Sequence, residues 1–564
     1  MATTLFDPSQ ATCPLWKLIA PSLPYKCPPS TCSLPGCSAP APLTCGGCQK
    51  ASYCSKEHQR KDWARHRRQC SPFKIVSSPG VGRHLVATRD ISPGEVILTE
   101  VPITCGPKQY TAPVCLGCHK FVPLSGYRCP RCDWPMCDEK CANSPLHRAE
   151  CQVFSQANLK PTALKRKSGL EMEPDMEIEH PIYECVTPLR VCLVRNIRPE
   201  NWLVVDKMAT HREERQLMEN SLHNQHNIVT FLLKHAKLGE IIPGVTEEQI
   251  TRATDVLDVN AFEIRGPHNS IRGLYPLTAM MNSSCSPNTQ NSIDDKWVCR
   301  VRAARKISKG EEICDTYTST LSNTLYRRSS LKNSKYFDCS CKRCSDPTEL
   351  GSHFSTLLCR VPGCGGYVVC KDPLDYASVW TCLKCHTERP GGDVQAEQEE
   401  WEEKIENAPK TLDAQNKLLE ELQQLFHPNH NLCVDVQFNL VPLLGLNRNY
   451  NLVTEAEKKL ELVKNILDLM EKVIPGMFRM RGMFLAEFYT TNLFLLRSKL
   501  ESKEISKSVF VRRLAGYRET LLEAKTILEF EPEGSIEAAR LVSVNNFLAQ
   551  LDQVVGEAGR ILTE

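Results

Sequence analysis

The sequence predicts a multidomain α+β protein, rich in zinc sites and ending in an all-helical domain. Three observations carry this. At 564 residues the chain is too long for one compact core. Its thirty cysteines fall mostly in closely spaced pairs, several with histidine partners. Short apolar strands with Asp, Pro and Gly turns occur ahead of residue 398, and long helical patterns follow it.

Charge is balanced, 69 Lys+Arg against 66 Asp+Glu, so no basic field implies direct nucleic-acid binding. The runs Arg65-His66-Arg67-Arg68 and Lys165-Arg166-Lys167 read as a solvated helix face and a solvated loop. No apolar run is long enough to span a bilayer, so no membrane association is expected. Residues 1–31 scatter Pro and Cys without the basic start and apolar core of a secretory signal. The expected location is the nucleus, the cytoplasm or both. Paired cysteines in a reducing compartment argue for zinc rather than disulfides.

In chain order, residues 32–70 hold Cys32-x4-Cys37, Cys45-x2-Cys48, Cys54-x3-His58 and His66-x3-Cys70. Eight ligands make two tetrahedral sites. Residues 55–69 lack Gly and Pro and are expected to be helical, with Cys54 and His58 on one face. Within residues 74–104, Gly80-Val81-Gly82 is followed by two short apolar strands, expected to form a hairpin across an Asp/Pro/Gly turn. Residues 115–151 repeat the metal logic with Cys115, Cys118, Cys129, Cys132, Cys137, Cys141, His147 and Cys151. A helical stretch spans 152–259, and strands resume over 260–338.

Within 339–390, Cys339-x-Cys341-x2-Cys344 needs a fourth ligand for a closed site. Cys359-x4-Cys364-Gly365-Gly366 and Cys382-x2-Cys385 read as a zinc ribbon, two knuckles joined by a hairpin. Cys13, Cys27, Cys105, Cys185, Cys192, Cys299, Cys314, Cys370 and Cys433 remain, read as single thiols without a nucleophilic role. Over 395–564, Leu460, Val463, Leu467 and Met470 fall on one stripe. Thr454 and Glu457 are expected to form a capping box. Pro428 and Pro475 end two helices, and Gly534-Ser535 introduces the last. An antiparallel array like a tetratricopeptide bundle is expected, without a clean repeat.

The string Tyr53-Cys54-Ser55, His58-Gln59, Trp63, His66 and Cys70 resembles a MYND zinc finger. That family's interleaved ligation implies Cys32, Cys37, Cys54 and His58 on one zinc, and Cys45, Cys48, His66 and Cys70 on the other. His58 replaces the more usual cysteine, and the Cys32–Cys37 gap is wider than usual. The second cluster resembles a more divergent MYND finger. The same interleaving implies Cys115, Cys118, Cys137 and Cys141, then Cys129, Cys132, His147 and Cys151. It lacks the Gln and Trp of the first copy, and its expected role is structural.

Asn282-Ser283-Ser284-Cys285-Ser286-Pro287-Asn288, followed by Gly310-Glu311-Glu312-Ile313, Tyr317 and the trio at Cys339, resembles the SET-domain protein-lysine methyltransferases. The family motif has histidine where Ser283 stands. A SET fold split by a MYND finger, with another finger ahead of it, resembles the SET-and-MYND (SMYD-type) family, arthropod members with an extra N-terminal finger above all.

This resemblance implies an S-adenosylmethionine-dependent protein-lysine N-methyltransferase, acting on histone or non-histone proteins and monomeric. It implies Tyr317 as the catalytic hydroxyl. Cofactor contacts carry over to Gly80, Val81, Gly82, Asn260, Asn282, Ser283, Tyr317 and Phe337. Cys285 becomes the fourth ligand of the Cys339 trio, giving about six structural zinc ions in all. The chemistry needs a channel aligning a neutral amine with the methyl group, and no acid–base dyad. Met280 and Met281 beside Ser283 suggest a repacked pocket that retains cofactor binding with reduced turnover. The alternative is a weak enzyme acting as an interaction or transcription-regulatory scaffold. Gln59 and Trp63 share a helix face. In MYND fingers those positions dock proline-containing peptides, while Trp63 could equally anchor the finger's small core. The tail reads as scaffold, and in the family it walls one side of the substrate cleft.

Overall fold

The computed structural model describes residues 31–45, 51–66, 71–108, 111, 113–123, 125–160, 181–216, 218–266, 270–445 and 452–561. Strands ahead of residue 107 pair with strands beyond 260, so the two halves close into one body despite the intervening insertion. Phe73–Ser78 runs antiparallel to Gly82–Ala87. Gly82–Ala87 pairs in turn with Glu312–Asp315, which takes Asn282–Ser283 as a parallel neighbour. A second sheet orders Thr289–Ile293, Cys299–Ala303 and Val96–Glu100. A third places Ser270–Leu274 between Thr104–Pro107 and Ala261–Arg265.

The expected hairpin between Gly82–Ala87 and Val96–Glu100 does not form, because these strands belong to different sheets. The hairpin around Gly80–Gly82 joins instead to the preceding Phe73–Ser78 strand. The reason lies in the connection. Ile91 bridges Ile307, and Gly94 at φ 78° turns the chain away into the next sheet. The partner turn is built alike. Ser92 and Ser308 amides donate to Glu95 and Glu311 at 3.1 and 2.9 Å. Arg89 and Arg305 pair with those same carboxylates.

The first finger comprises the Leu43–Thr44 and Ser52–Tyr53 ladder and helix Lys56–His66. Ser55 Oγ accepts the His58 amide at 3.1 Å, which starts the helix. Residues 67–70 lie outside the described residues. In the second finger, Ser144 Oγ caps helix Pro145–Gln156. Helices Val186–Ile197 and Glu247–Asn260 follow in the insertion, the latter opened by a Thr246/Gln249 capping box.

The ribbon is a four-stranded antiparallel sheet of Leu357–Leu358, Tyr367–Cys370, Trp380–Cys382 and Glu388–Arg389. A Cβ on Gly366 would lie 2.7 Å from Cys382 Sγ, so glycine there permits the knuckles to close. Beyond it, Leu452–Val473 packs on Arg479–Glu501, which packs on Arg518–Leu528, which packs on Ile536–Ile561.

Three expectations for this region change. The buried stripe of Leu452–Val473 is Val463, Ile466, Met470 and Val473 with Leu462 and Leu469, while Leu460 and Leu467 are half-buried. Contacts on two sides, with the earlier helices and with Leu485 to Leu551, rotate the buried face. Thr454 lies inside this helix and so cannot cap it. Pro428 sits in the loop after Leu412–Leu422 rather than at its end, whereas Pro475 follows Val473 closely. Ser535 Oγ accepts the Ala538 amide at 3.0 Å and opens the last helix as expected.

Candidate active site and metal centres

The parallel pairing of Asn282–Ser283 with Glu312–Asp315 sets the centre of the site. It places Ser283 opposite Asp315, two residues before Tyr317. Asn288 locks the arrangement: its Oδ1 accepts the Cys314 amide at 2.8 Å and its Nδ2 donates to the Glu312 carbonyl at 2.8 Å. Asn282 Nδ2 donates to Glu312 Oε1 at 2.5 Å. Ser283 Oγ accepts the Tyr317 amide at 3.2 Å, so serine at this position holds the tyrosine's backbone.

Tyr317 is half-buried, and its hydroxyl donates to the Met281 carbonyl. Its one proton is thereby assigned, and the oxygen's lone pairs remain to accept. Burial pushes the phenol's pKa up, which keeps it protonated. Behind it, Glu100 is buried and accepts the Leu277 and Thr278 amides and the Thr278 hydroxyl at 2.7–2.9 Å. These bonds fix the turn Thr278–Met280 that leads into Asn282. Burial outweighs them and raises the Glu100 carboxyl to about 7.

The other expected contacts converge through a segment the sequence did not single out, residues 206–211. Arg83, beside Gly82, donates to the Lys207 carbonyl at 2.6 Å. Asn260 donates to the Ala209 carbonyl at 2.9 Å. His211 lies 5.3 Å from Tyr336, ring centre to ring centre, next to Phe337. Phe337 and Tyr317 pack on one cluster with Cys285, Leu331, Cys339 and Cys344. Gly80 and Gly82 take φ 75° and 78°, and a Cβ on either would meet no atom within 4 Å. Positive φ demands glycine there, and the open space beside the turn is free for a ligand. Val81 between them is 55% exposed. No periodicity in 206–211 signalled its part, which exists only once the insertion folds back.

Asp315 and Thr316 line a cleft of about 480 Å³ between the strands and the C-terminal helices, closed opposite by Phe478, Arg479 and Glu531. Four carboxylates, Glu263, Asp315, Glu531 and Glu537, face it against Arg265 and Arg479.

Five sets of four ligand atoms lie within 4.8 Å of one another. They are Cys32, Cys37, Cys54 and His58; Cys115, Cys118, Cys137 and Cys141; Cys129, Cys132, His147 and Cys151; Cys285, Cys339, Cys341 and Cys344; and Cys359, Cys364, Cys382 and Cys385. The sulfur pairs are 3.4–3.9 Å apart, as in Cys285–Cys344, Cys285–Cys339 and Cys364–Cys382. A zinc tetrahedron with ~2.3 Å bonds has an edge of about 3.8 Å. No disulfide joins any of the described cysteines. Each set has four donors, so each suits a closed, structural zinc. For the sixth set, Cys45 and His66 are described, and Cys48 and Cys70 lie outside the described residues.

Two centres are tied to the fold by buried charges. His147 presents Nε2 to Cys132 Sγ at 3.3 Å, and its Nδ1 meets Glu150 Oε1 at 3.2 Å. Such a carboxylate fixes the tautomer of a zinc-binding imidazole. Arg190 grips Glu150 with two nitrogens and donates to the Cys105 and Leu116 carbonyls at 2.6 and 2.7 Å. At the Cys285 centre, Arg343 donates to the Cys285 carbonyl at 3.2 Å and Arg327 to Cys344 Sγ at 3.5 Å. Burial would raise the carboxyl of Glu349 between them, but the two guanidiniums prevail and hold it at about 2. With Glu349 ionised between them, the two arginines leave one net positive charge, which would offset part of the surplus negative charge of four thiolates around a divalent ion.

On the first finger, the core is Cys32, Cys45 and Tyr53. Trp63 lies on the helix surface, 48% exposed, with Gln59 half-buried one turn before it.

A MYND finger family model matches residues 30–70, and a SET domain model matches residues 82–318. The Drosophila melanogaster SET domain-containing protein SmydA-8, isoform A, is 32% identical over 383 residues, covering 65% of this chain and 77% of that one. The Arabidopsis thaliana histone-lysine N-methyltransferase ASHR1 is 27% identical over 446 residues, covering 74% and 85%. The Gallus gallus N-lysine methyltransferase SMYD2 is 26% identical over 296 residues, covering 48% and 59%.

Proposed function

We propose that this chain, which belongs to the SET- and MYND-domain (SMYD-type) family, is an S-adenosylmethionine-dependent protein-lysine N-methyltransferase. The observation that carries the reading is the Tyr317 hydroxyl, fixed by Met281 beside the Asn282–Ser283 strand. When bound, S-adenosylmethionine supplies the methyl on its sulfonium. Gly80, Val81, Gly82, Asn260, Asn282, Ser283 and Phe337 are the residues that would hold it. The open space at the Gly80–Gly82 turn suits such a ligand.

Because the Tyr317 proton goes to Met281, its oxygen accepts an N–H of the incoming amine and aims the nitrogen's lone pair at the methyl. Enclosure lowers the amine's pKa by penalising the ammonium, so the amine gives its proton to solvent water as it enters and no resident base is needed. The substrate is a lysine-bearing segment of a histone or non-histone protein. Calorimetry with S-adenosylhomocysteine and a methyl-transfer assay on core histones and cell-extract proteins test this. Tyr317→Phe should bind the cofactor product normally and lose at least ~10²-fold in turnover. Absence of binding by the wild type would overturn the reading.

A second reading concerns the first finger. The exposure of Trp63 outside the finger core favours docking of proline-containing peptides beside Gln59, whether or not turnover is fast. Trp63→Ala should release such partners in pull-downs and leave the finger folded. Unchanged capture would rule it out.

A further inference from the structure

The helix Thr324–Lys335 ends on a lysine whose amine turns inward. A lysine at a helix C-terminus ordinarily sits in solvent near its own last carbonyls. Lys335 instead crosses to the insertion and donates to the Val259 carbonyl at 2.6 Å, immediately before Asn260. Its Nζ lies 5.6 Å from the centre of the Tyr317 ring. Tyr336, the next residue, takes φ 62°, a left-handed conformation uncommon for a bulky side chain. That turn brings Phe337 onto the cluster shared with Tyr317. Strain at such a position accompanies functional sites.

We propose that the Lys335 ammonium is a resident occupant of the acceptor-lysine position, held on the face of Tyr317 and released only when it leaves the Val259 carbonyl. A substrate ammonium heading for the Tyr317 oxygen passes close to this ring, and a second cation already held there repels it. Lys335 therefore acts as a specificity plug. A segment that binds the cleft tightly displaces it, and a free lysine does not. Burial also lowers the pKa of Lys335, which fits an amine held in an enclosed channel.

This inference rests on the methyltransferase reading, and its test separates the two. Full-length wild type, Lys335→Met and Lys335→Arg are first titrated with S-adenosylhomocysteine. They are then titrated, saturated with it, with Nα-acetyl-lysine amide by NMR. The cofactor product should bind all three within about twofold. Lys335→Met should bind the lysine amide roughly tenfold more tightly, the factor one charge-assisted hydrogen bond commands. Lys335→Arg should stay as weak as wild type. Equal lysine-amide affinity in wild type and Lys335→Met, with S-adenosylhomocysteine bound to both, would overturn the plug. Failure of S-adenosylhomocysteine to bind any of the three would overturn the methyltransferase reading and the plug with it. Lys335→Gln serves the same comparison if Lys335→Met does not fold.

Discussion

Ser283 stands where the family motif has histidine, and its Oγ accepts the Tyr317 amide. The side chain therefore holds the backbone of Tyr317 directly. Ser283→Ala removes one hydrogen bond of about 1 kcal/mol and frees the Tyr317 segment. We expect turnover to fall several-fold, with S-adenosylhomocysteine affinity, read by calorimetry, nearly unchanged. Ser283→His introduces an imidazole into a position shaped for a hydroxyl. Tighter cofactor binding by that variant, with wild type failing to bind, would favour the scaffold reading over the enzyme reading. The motif's order made Asn282, Ser283 and Tyr317 legible in the sequence. The hydrogen bonds among them were not, because they depend on a parallel pairing between strands thirty residues apart.

At the scale of elements, two buried carboxylates hold turns in place. Glu100 fixes Thr278–Met280, and its pKa is raised by burial to about 7 from 4.5. A raised carboxyl pKa means that the fold keeps a proton the unfolded chain has lost. That contribution to stability is complete below pH 4.5 and vanishes as pH rises through 7, an effect on the order of 3 kcal/mol. Denaturant midpoints at pH 5 and pH 8 should therefore converge in Glu100→Gln relative to wild type. Glu150 pairs with Arg190 and orients His147. Arg190→Ala would leave the buried Glu150 with only His147 Nδ1 as partner, a loss of about 3–5 kcal/mol. Thermal unfolding together with zinc content checks this, and loss of zinc from the second finger should accompany the shift. Neither carboxylate stood out in the sequence, where each is one acidic residue among many.

At the scale of the molecule, the C-terminal helices meet the strands at Gly476. Its φ is 112°, and a Cβ would fall 2.2 Å from the Ala304 carbonyl, which also accepts the Met477 amide at 2.7 Å. Gly476→Ala should cost roughly 3 kcal/mol through strain and overpacking, read by chemical denaturation, and open the cleft beside Tyr317. Five of the six expected metal sets, those whose ligands are all described, were legible from the chain alone, because cysteine and histidine spacing is a local property that chelation chemistry reads directly. It also singled out Asn282 and Tyr317, through motifs that are contiguous in the chain. Only the tertiary structure decided that Gly82–Ala87 and Val96–Glu100 part into different sheets, and that the 206–211 segment closes on the glycine turn. It alone set Lys335 against Tyr317. Such relations come from strand pairing and helix packing between distant segments, and side-chain periodicity along one segment contains no record of which partner it will meet.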